Sequence, residues 1–594
     1  MRWSSRIVAV ALLALWAGSP ARALPRDKDE WIEVATAHFT LLSNASERNT
    51  ERIAVNLERL RLALARLSPG LAQSSPEPTA IFVFRNETAF LPYQRLYQGK
   101  PVEVAGYFMS RPFGNYVAIN GDLRGDGVAI MFHEYLHYVL RNSFAGLPLW
   151  LNEGLAEYYS TFEAAGNAAK IGLPIVEHLR WLRDHDPFPL TRLFAIEETS
   201  SEYNEGNRRG GFYAQSWALT HYLVQGDPER RRQAAELFRL LQANVPQDEA
   251  VARTLGDPAV LERELRKYVQ GYLFNYSSMP FDAGAPVAVA SRPAARADVL
   301  ARLGELLLHL SEEQLGEAES HFRAALELAP EHGPATAGLG QLAALAGRRA
   351  EAGELYRRAA RQAPSDLRVQ VLFGEHLLAG DPTGEERIEA RQAFSRVVAL
   401  APEFGEAWAR LGLTWTFSDV HPAAAIQALE TAHRLMPSRM DVAYNLLLAL
   451  ARAGRREEAE ALVSGVLELH ADKKLLAAAR EALLSEDRRL AEDLVGKGKY
   501  GEALAAMEEV YAKSTDTNRR LEIAVRLSEI RHVIDYNRFV DQYNQAINLA
   551  NRGDYAAAIV ILEPLAEATR SPAQLEMAKT LLGRLQEQVK KKKR

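Results

Sequence analysis

His133 and His137 stand four residues apart, with Glu134 directly after the first, in the stretch His133-Glu134-Tyr135-Leu136-His137. The surrounding residues 128–140 are largely apolar and predict a helix, so both imidazoles project from one face and can share a metal ion. Glu134 then lies beside the ion, able to take a proton from water held there. Taken alone, the motif also suits two buried, hydrogen-bonded core histidines.

A second segment narrows the choice. Eleven residues beyond His137 begins Pro148-Leu149-Trp150-Leu151-Asn152-Glu153-Gly154-Leu155-Ala156-Glu157-Tyr158-Tyr159. Its proline at the start, and Leu151, Leu155 and Tyr158 at helical spacing, predict another helix. Glu153 and Glu157 share a face of it, with no basic residue nearby in sequence, and a hard cation resolves that conflict. The chain contains no cysteine, which excludes thiolate-bound zinc, iron–sulfur clusters, disulfides and thiol catalysis. Any metal is therefore held by His and carboxylate. Zn2+ on His133, His137 and Glu153 keeps a fourth position for water.

These two segments together resemble the gluzincin metallopeptidases, in which a second helix carries an Asn-Glu pair whose Glu is the third zinc ligand. The wording Trp150-Leu151-Asn152-Glu153-Gly154 is close to that of the M1 aminopeptidases. Fifteen residues separate His137 from Glu153, a shorter connection than in those relatives. The resemblance implies a supporting role for Glu157, which matches an acid that steadies the first zinc-bound His in thermolysin-like enzymes. It also implies a catalytic Tyr at the start of a later helix. Tyr213, after Gly210-Gly211, matches that position as the donor to a developing oxyanion, with His221 and Tyr203 in reserve. The segment that clamps a free amino terminus in the aminopeptidases is absent, so their specificity is not implied. Residues 114–120 (GNYVAIN) stand where a substrate-pairing sheet edge is expected.

Positioning these residues requires a mixed front half. Residues 31–42 and 79–85 read as strands, and 47–67 as an amphipathic helix with Ile53, Leu57, Leu60 and Leu64 on one face. Residues 106–111 and 115–120 read as a hairpin around Pro112-Phe113-Gly114. Helices dominate from about residue 127. The stretch 281–297 is rich in Pro and Ala without periodicity and reads as a linker.

Beyond it, Pro330, Pro364, Pro402 and Pro437 recur at intervals of 34, 38 and 35 residues. Twelve residues before each stand Ala318, Ala352, Ala390 and Ala425; eight before stand Phe322, Tyr356, Phe394 and Leu429. Leu339-Gly340 and Leu411-Gly412 complete a pattern that resembles the tetratricopeptide repeat. Such helix pairs stack into a solenoid with a face for a protein partner. Degenerate units follow at residues 499–503 and 553–557, and a basic tail Lys590–Arg594 reads as a solvated helix end.

At the other end, Arg2 and Arg6, an apolar run over 7–17 and Ala21-Arg22-Ala23 form a cleavable secretory signal. That run is too short to span a bilayer, which takes about 20 residues. The net charge of −5 removes the basic field expected of a nucleic-acid binder.

The expected plan is therefore a signal at 1–23, an α+β zincin-like metallopeptidase domain at 24–280 and a linker at 281–297. An all-α tetratricopeptide-type solenoid follows at 298–484, then degenerate helical repeats and the tail at 485–594. The expected activity is hydrolysis of a protein or peptide substrate outside the cytoplasm, in a bacterial periplasm or secreted. No transmembrane span and no nucleic-acid partner are expected. The alternative is an exported repeat scaffold whose zinc domain is structural or inactive.

Overall fold

A computed structural model describes residues 24–67, 79–97, 100–101, 104, 106–111, 114–122, 126–143, 147–197, 199–204, 206–242, 245–282, 285–416, 421–437, 439–468, 471 and 473–592. The signal at 1–23, the turn residues Pro112 and Phe113, and the last two tail residues lie outside them. The chain forms two compact units, Met1–Ala449 with Ser464–Ala471, and Leu450–Val463 with Asp472–Arg594.

The first unit is built on a six-stranded sheet. Its strands are β1 (Ile32–Ala35), β2 (Thr40–Ser43), β3 (Thr79–Phe84), β6 (Gly106–Arg111), β7 (Gly114–Asn120) and β11 (Ala290–Pro293), in the order β11-β1-β2-β3-β7-β6. Between them in sequence come β4 (Leu96–Tyr97) with β5 (Lys100–Pro101), and the sheet of β8 (Glu163–Ala165), β9 (Ala168–Ile171) and β10 (Ser277–Pro280). The expected strand over 31–42 is thus a hairpin, β1 running antiparallel to β2. β2, β3 and β7 run parallel, and β6 closes the edge antiparallel to β7.

Alternation along the central strands sends side chains to two different cores. Ile81 and Val83 of β3, and Val117 and Ile119 of β7, meet α1 (Glu47–Leu67) and α2 (Asp126–Ser143). Phe82, Phe84, Tyr116 and Ala118 face the other way, onto helices of the repeat region. Both faces are covered, so these strands read as continuous apolar runs.

Two expectations change here. The segment 281–297 is not a free connection: β11 lies inside it and pairs antiparallel with β1 at the sheet's far edge. A four-residue edge strand with mostly exposed residues needs no apolar alternation, which is why its sequence resembled a linker. The second concerns β7. Every residue of it is buried, and it lies between β3 and β6. β6, not β7, is the edge strand on this side of the sheet.

Helices α3 (Leu149–Ser160), α4 (Val176–Asp184), α5 (Leu190–Phe194), α6 (Ser201–Asn204), α7 (Gly206–Gln225), α8 (Pro228–Gln242), α9 (Gln247–Thr254) and α10 (Pro258–Val269) complete the front half.

The repeat region follows as paired helices. They are α11 (Arg296–Leu310) with α12 (Leu315–Leu328), α13 (Gly333–Leu345) with α14 (Arg349–Gln362), α15 (Leu367–Leu378) with α16 (Gly384–Leu400), and α17 (Gly405–Thr416) with α18 (Pro422–Leu435). Each second helix stops just before its repeat proline, which cannot continue it. Ala318, Ala352, Ala390 and Ala425 are buried where the two helices meet. Opposite them, Phe394 fills the space over Gly374, where a Cβ would stand 2.7 Å from its ring. Leu429 does the same over Gly412, at 2.5 Å.

The second unit is all-helical: α19 (Lys473–Gly496), α20 (Tyr500–Lys513), α21 (Thr517–Asn551), α22 (Tyr555–Ala568) and α23 (Pro572–Lys592). The degenerate units open α20 and α22, each after a glycine in the left-handed region, Gly498 (φ 74°) and Gly553 (φ 81°). The two units divide at 449/450, with 464–471 returning to the first. One cause is visible in the ion pair from Arg456 to Asp487 on α19, at 2.8 Å, which holds 450–463 to the second unit. Among the described residues, no helix is long and apolar enough to cross a membrane.

Candidate metal centre

Helix α2 crosses the sheet with Met131, Phe132, Leu136 and Val139 packed into the core. The opposite face carries His133 and His137 toward α3. Nε2 of His133 lies 3.0 Å from Nε2 of His137. Oε2 of Glu153, from α3, lies 3.3 Å from the first nitrogen and 3.2 Å from the second. Glu153 is buried, and this oxygen has no well-aligned hydrogen bond.

Three electron-pair donors thus face one point from the corners of a nearly equilateral triangle. Bonds of about 2.0–2.1 Å to a tetrahedral zinc place its ligands about 3.3–3.4 Å apart, so the triangle needs only slight opening to admit the ion. The residues present fit zinc. Among the described residues, no further His, Asp or Glu joins this group.

Close approach is available because α3 has no side chain at Gly154: a Cβ there would stand 2.2 Å from Oγ1 of Thr220 on α7. With α3 seated on α7, Glu153 is directed to α2.

Charge supports the same reading. Burial disfavours a charged His133, but the Glu153 contact and the carboxylates of Glu157 and Glu134 outweigh it and lift its pKa to about 9. Burial likewise opposes an ionised Glu153, yet His133 and His137 hold its carboxyl well below the usual range. A proton on His133 compensates this negative site, which is also the charge a divalent cation would bring. Glu134 is lifted above the ordinary carboxylate value by burial, with the two imidazoles pulling the other way.

Each of the three side chains has a polar neighbour behind it. Nδ1 of His137 lies 3.3 Å from Oδ1 of Asn152. Nδ1 of His133 lies 3.5 Å from Oε1 of Glu157. Glu157 therefore faces the side of the ring away from the triangle and is not part of it. The Tyr203 phenol on α6 donates to Oε1 of Glu153 at 3.0 Å.

Tyr213 is at the site, its ring centroid 6.1 Å from that of His133 and 6.1 Å from that of Tyr203. It does not open its helix. α7 begins at Gly206, and the Gly210-Gly211 pair lies inside it. Gly211 makes room for Trp181, whose ring a Cβ would meet at 2.4 Å. His221 is not at the centre. It is buried, Nε2 donating to the Gly172 carbonyl (2.9 Å) and Nδ1 accepting from the Tyr268 phenol (2.8 Å). Burial lowers its pKa to about 4, and both nitrogens are committed, so it supplies no oxyanion donor. His178 is a group that no spacing in the sequence singles out: its Nε2 lies 3.3 Å from Oε2 of Glu157. A lone His on an amphipathic helix, 21 residues after Glu157, carries no spacing signal.

Residues 127–247, which include every group named at the centre, match a family described as a protein of unknown function, DUF1570. Residues 309–372 match the tetratricopeptide repeat family, and with the helix pairs this makes the C-terminal region a tetratricopeptide-repeat array behind an α+β front half. No curated protein matches the chain. Solved structures similar to it include YrrB, a TPR protein with an unusual peptide-binding site, 20% identical, with 31% of this chain and 92% of that one covered at a TM-score of 0.27. PilF of Pseudomonas aeruginosa is 21% identical, over 39% of this chain and 97% of that one, at 0.26. A tetratricopeptide repeat protein from Parabacteroides merdae is 15% identical, over 49% and 99%, at 0.27.

Proposed function

We propose that the chain is an exported zinc metallopeptidase of gluzincin type whose repeats recruit a protein partner or substrate. The observation that carries this reading is the triangle of His133, His137 and Glu153 donor atoms, 3.0–3.3 Å on a side, with Glu134 next to it. Zinc bound there would polarise a scissile carbonyl and bring the pKa of water down to about 7.

The protein's own groups do the rest. Glu134, with its pKa raised by burial, is suited to accept a proton from the attacking water and pass it to the leaving amine. Tyr213, beside His133, is the candidate donor to the oxyanion. Glu157, Asn152 and Tyr203 hold the three ligands still. Residues 1–23 supply the export signal.

The repeat family match favours a second reading, a scaffold with structural zinc, because such repeats serve protein interaction. Elemental analysis of the purified chain beside Glu153→Gln tests the metal, with one zinc per chain expected, lost in the variant. Peptide hydrolysis by the wild type that Glu134→Gln abolishes, with zinc retained, separates enzyme from scaffold. A zinc-loaded chain that cleaves no peptide in a broad library supports the scaffold.

A further inference from the structure

Behind Glu157 stands one more imidazole. His178 lies in the first turn of α4, with Nε2 3.3 Å from Oε2 of Glu157, while Oε1 of the same carboxylate lies 3.5 Å from Nδ1 of His133. One carboxylate thus lies between two imidazoles, with Nε2 of His178 buried and in no well-aligned hydrogen bond, and α2, α3 and α4 contribute one residue each. Resting on the zinc reading above, we propose that His178 is a positioning residue: through Glu157 it fixes the ring of His133 and sets how tightly the metal is held.

The two histidine ligands are supported unequally. His137 has the neutral amide oxygen of Asn152 behind it. His133 has a carboxylate, and a carboxylate accepting from Nδ1–H makes Nε2 the stronger electron donor. That carboxylate is useful only if it stays aligned, and a Glu side chain has three rotatable bonds. An imidazole in contact with its second oxygen limits the freedom to swing away.

His178 can keep that contact because α4 is itself fixed. Leu179 and Leu182 are buried in the core of the front half. Trp181 occupies the space over Gly211 on α7. Arg183 donates to the carbonyls of Val269 at 2.9 Å and Gly271 at 2.6 Å, at the end of α10. On the flank of His178 lies Trp217 of α7, ring centroids 5.8 Å apart. His178 is not among the groups placed to bind the ion. It acts only through Glu157.

The test is the zinc affinity of the full chain, measured by competition with a chromogenic chelator, together with the visible spectrum of the Co2+-substituted protein. His178→Leu is expected to weaken zinc binding 10–100-fold and shift the cobalt bands, with the melting temperature of the metal-free protein unchanged. His178→Gln places an amide N–H near the lost Nε2 and is expected to stay within about threefold of wild type. His178→Asn, too short to reach, is run beside the Leu variant in case that one misfolds, and is expected to show the same loss. Wild-type affinity and cobalt spectrum in both Leu and Asn variants would overturn the proposal. So would equal loss in His178→Gln, which would make the effect one of packing. A wild type that binds no zinc sinks the metallopeptidase reading itself and the proposal with it, and is told apart by that first measurement.

Discussion

The phenol of Tyr203 donates to Oε1 of Glu153 at 3.0 Å, which leaves Oε2 of the same carboxylate facing both imidazoles. One hydrogen bond therefore sets which oxygen faces the two imidazoles. Tyr203→Phe keeps the ring and removes only that donor. Oε1 then loses its phenol partner, the carboxylate is free to turn, and zinc affinity is expected to fall about 10-fold. Competition with a chelator reads this directly. An unchanged affinity would mean that packing alone orients Glu153.

The sheet's second face is covered by the repeats, so the front half should not stand alone. Phe84 is buried against Phe90 and Tyr93, ring centroids 5.3 and 5.0 Å away, in the core that includes Val299, Leu303 and Leu307 of α11. Polar groups seal the same surface: the Tyr116 phenol donates to Glu305 at 2.7 Å, and Arg111 donates to the His309 carbonyl at 2.5 Å. A chain ending at residue 280 lacks β11 and all of these helices. It is expected to aggregate on expression, whereas 24–449 stays soluble. Monomeric 24–280 by gel filtration with a cooperative melt would refute this.

The periodic parts of the fold were legible. The apolar stripe of Ile53, Leu57, Leu60 and Leu64 located α1 at the bounds found, and the repeat prolines mark the ends of α12, α14, α16 and α18. The convergence of His133, His137 and Glu153 was legible because residues four apart share one helix face and the two apolar segments read as neighbouring helices. The rest depends on tertiary placement. A short strand such as β11 is defined by its partner β1, not by its own pattern. Gly210-Gly211 reads as a helix start until Trp181 is seen occupying the space over Gly211. Tyr203 and His178 meet Glu153 and Glu157 only because α6 and α4 fold back on α3.

Acid should weaken the contact between sheet and repeats. His321 is buried, with Nδ1 donating to the Glu317 carbonyl at 2.8 Å and Nε2 accepting from the Tyr93 phenol at 3.1 Å. Burial lowers its pKa from 6.5 to about 4. The unfolded chain therefore binds more protons between those values, and stability falls as pH drops from 6.5 toward 4. The loss is on the order of 3 kcal/mol for this one residue. His321→Gln removes the titration, so urea unfolding at pH 7 and pH 4.5 should show a smaller difference for the variant than for wild type. Equal differences would place the acid sensitivity elsewhere.

The last prediction concerns Gly211, whose missing side chain gives Trp181 its place. A Cβ would stand 2.4 Å from the indole ring, closer than any real contact, and the ring belongs to the same helix as His178. Gly211→Ala should gain slightly in helix propensity, by up to about 1 kcal/mol, since the position is inside α7. Overpacking of this kind costs about 1–3 kcal/mol, so the clash outweighs the gain and the net effect is destabilising. Its more telling consequence is at the metal centre. If Trp181 moves, α4 shifts and Nε2 of His178 leaves Glu157. Zinc affinity should then fall beyond the stability loss, and Trp181→Leu in the same chain should recover part of it by relieving the clash. A Gly211→Ala chain that is less stable yet holds zinc as tightly as wild type would show that α4 moves without disturbing Glu157.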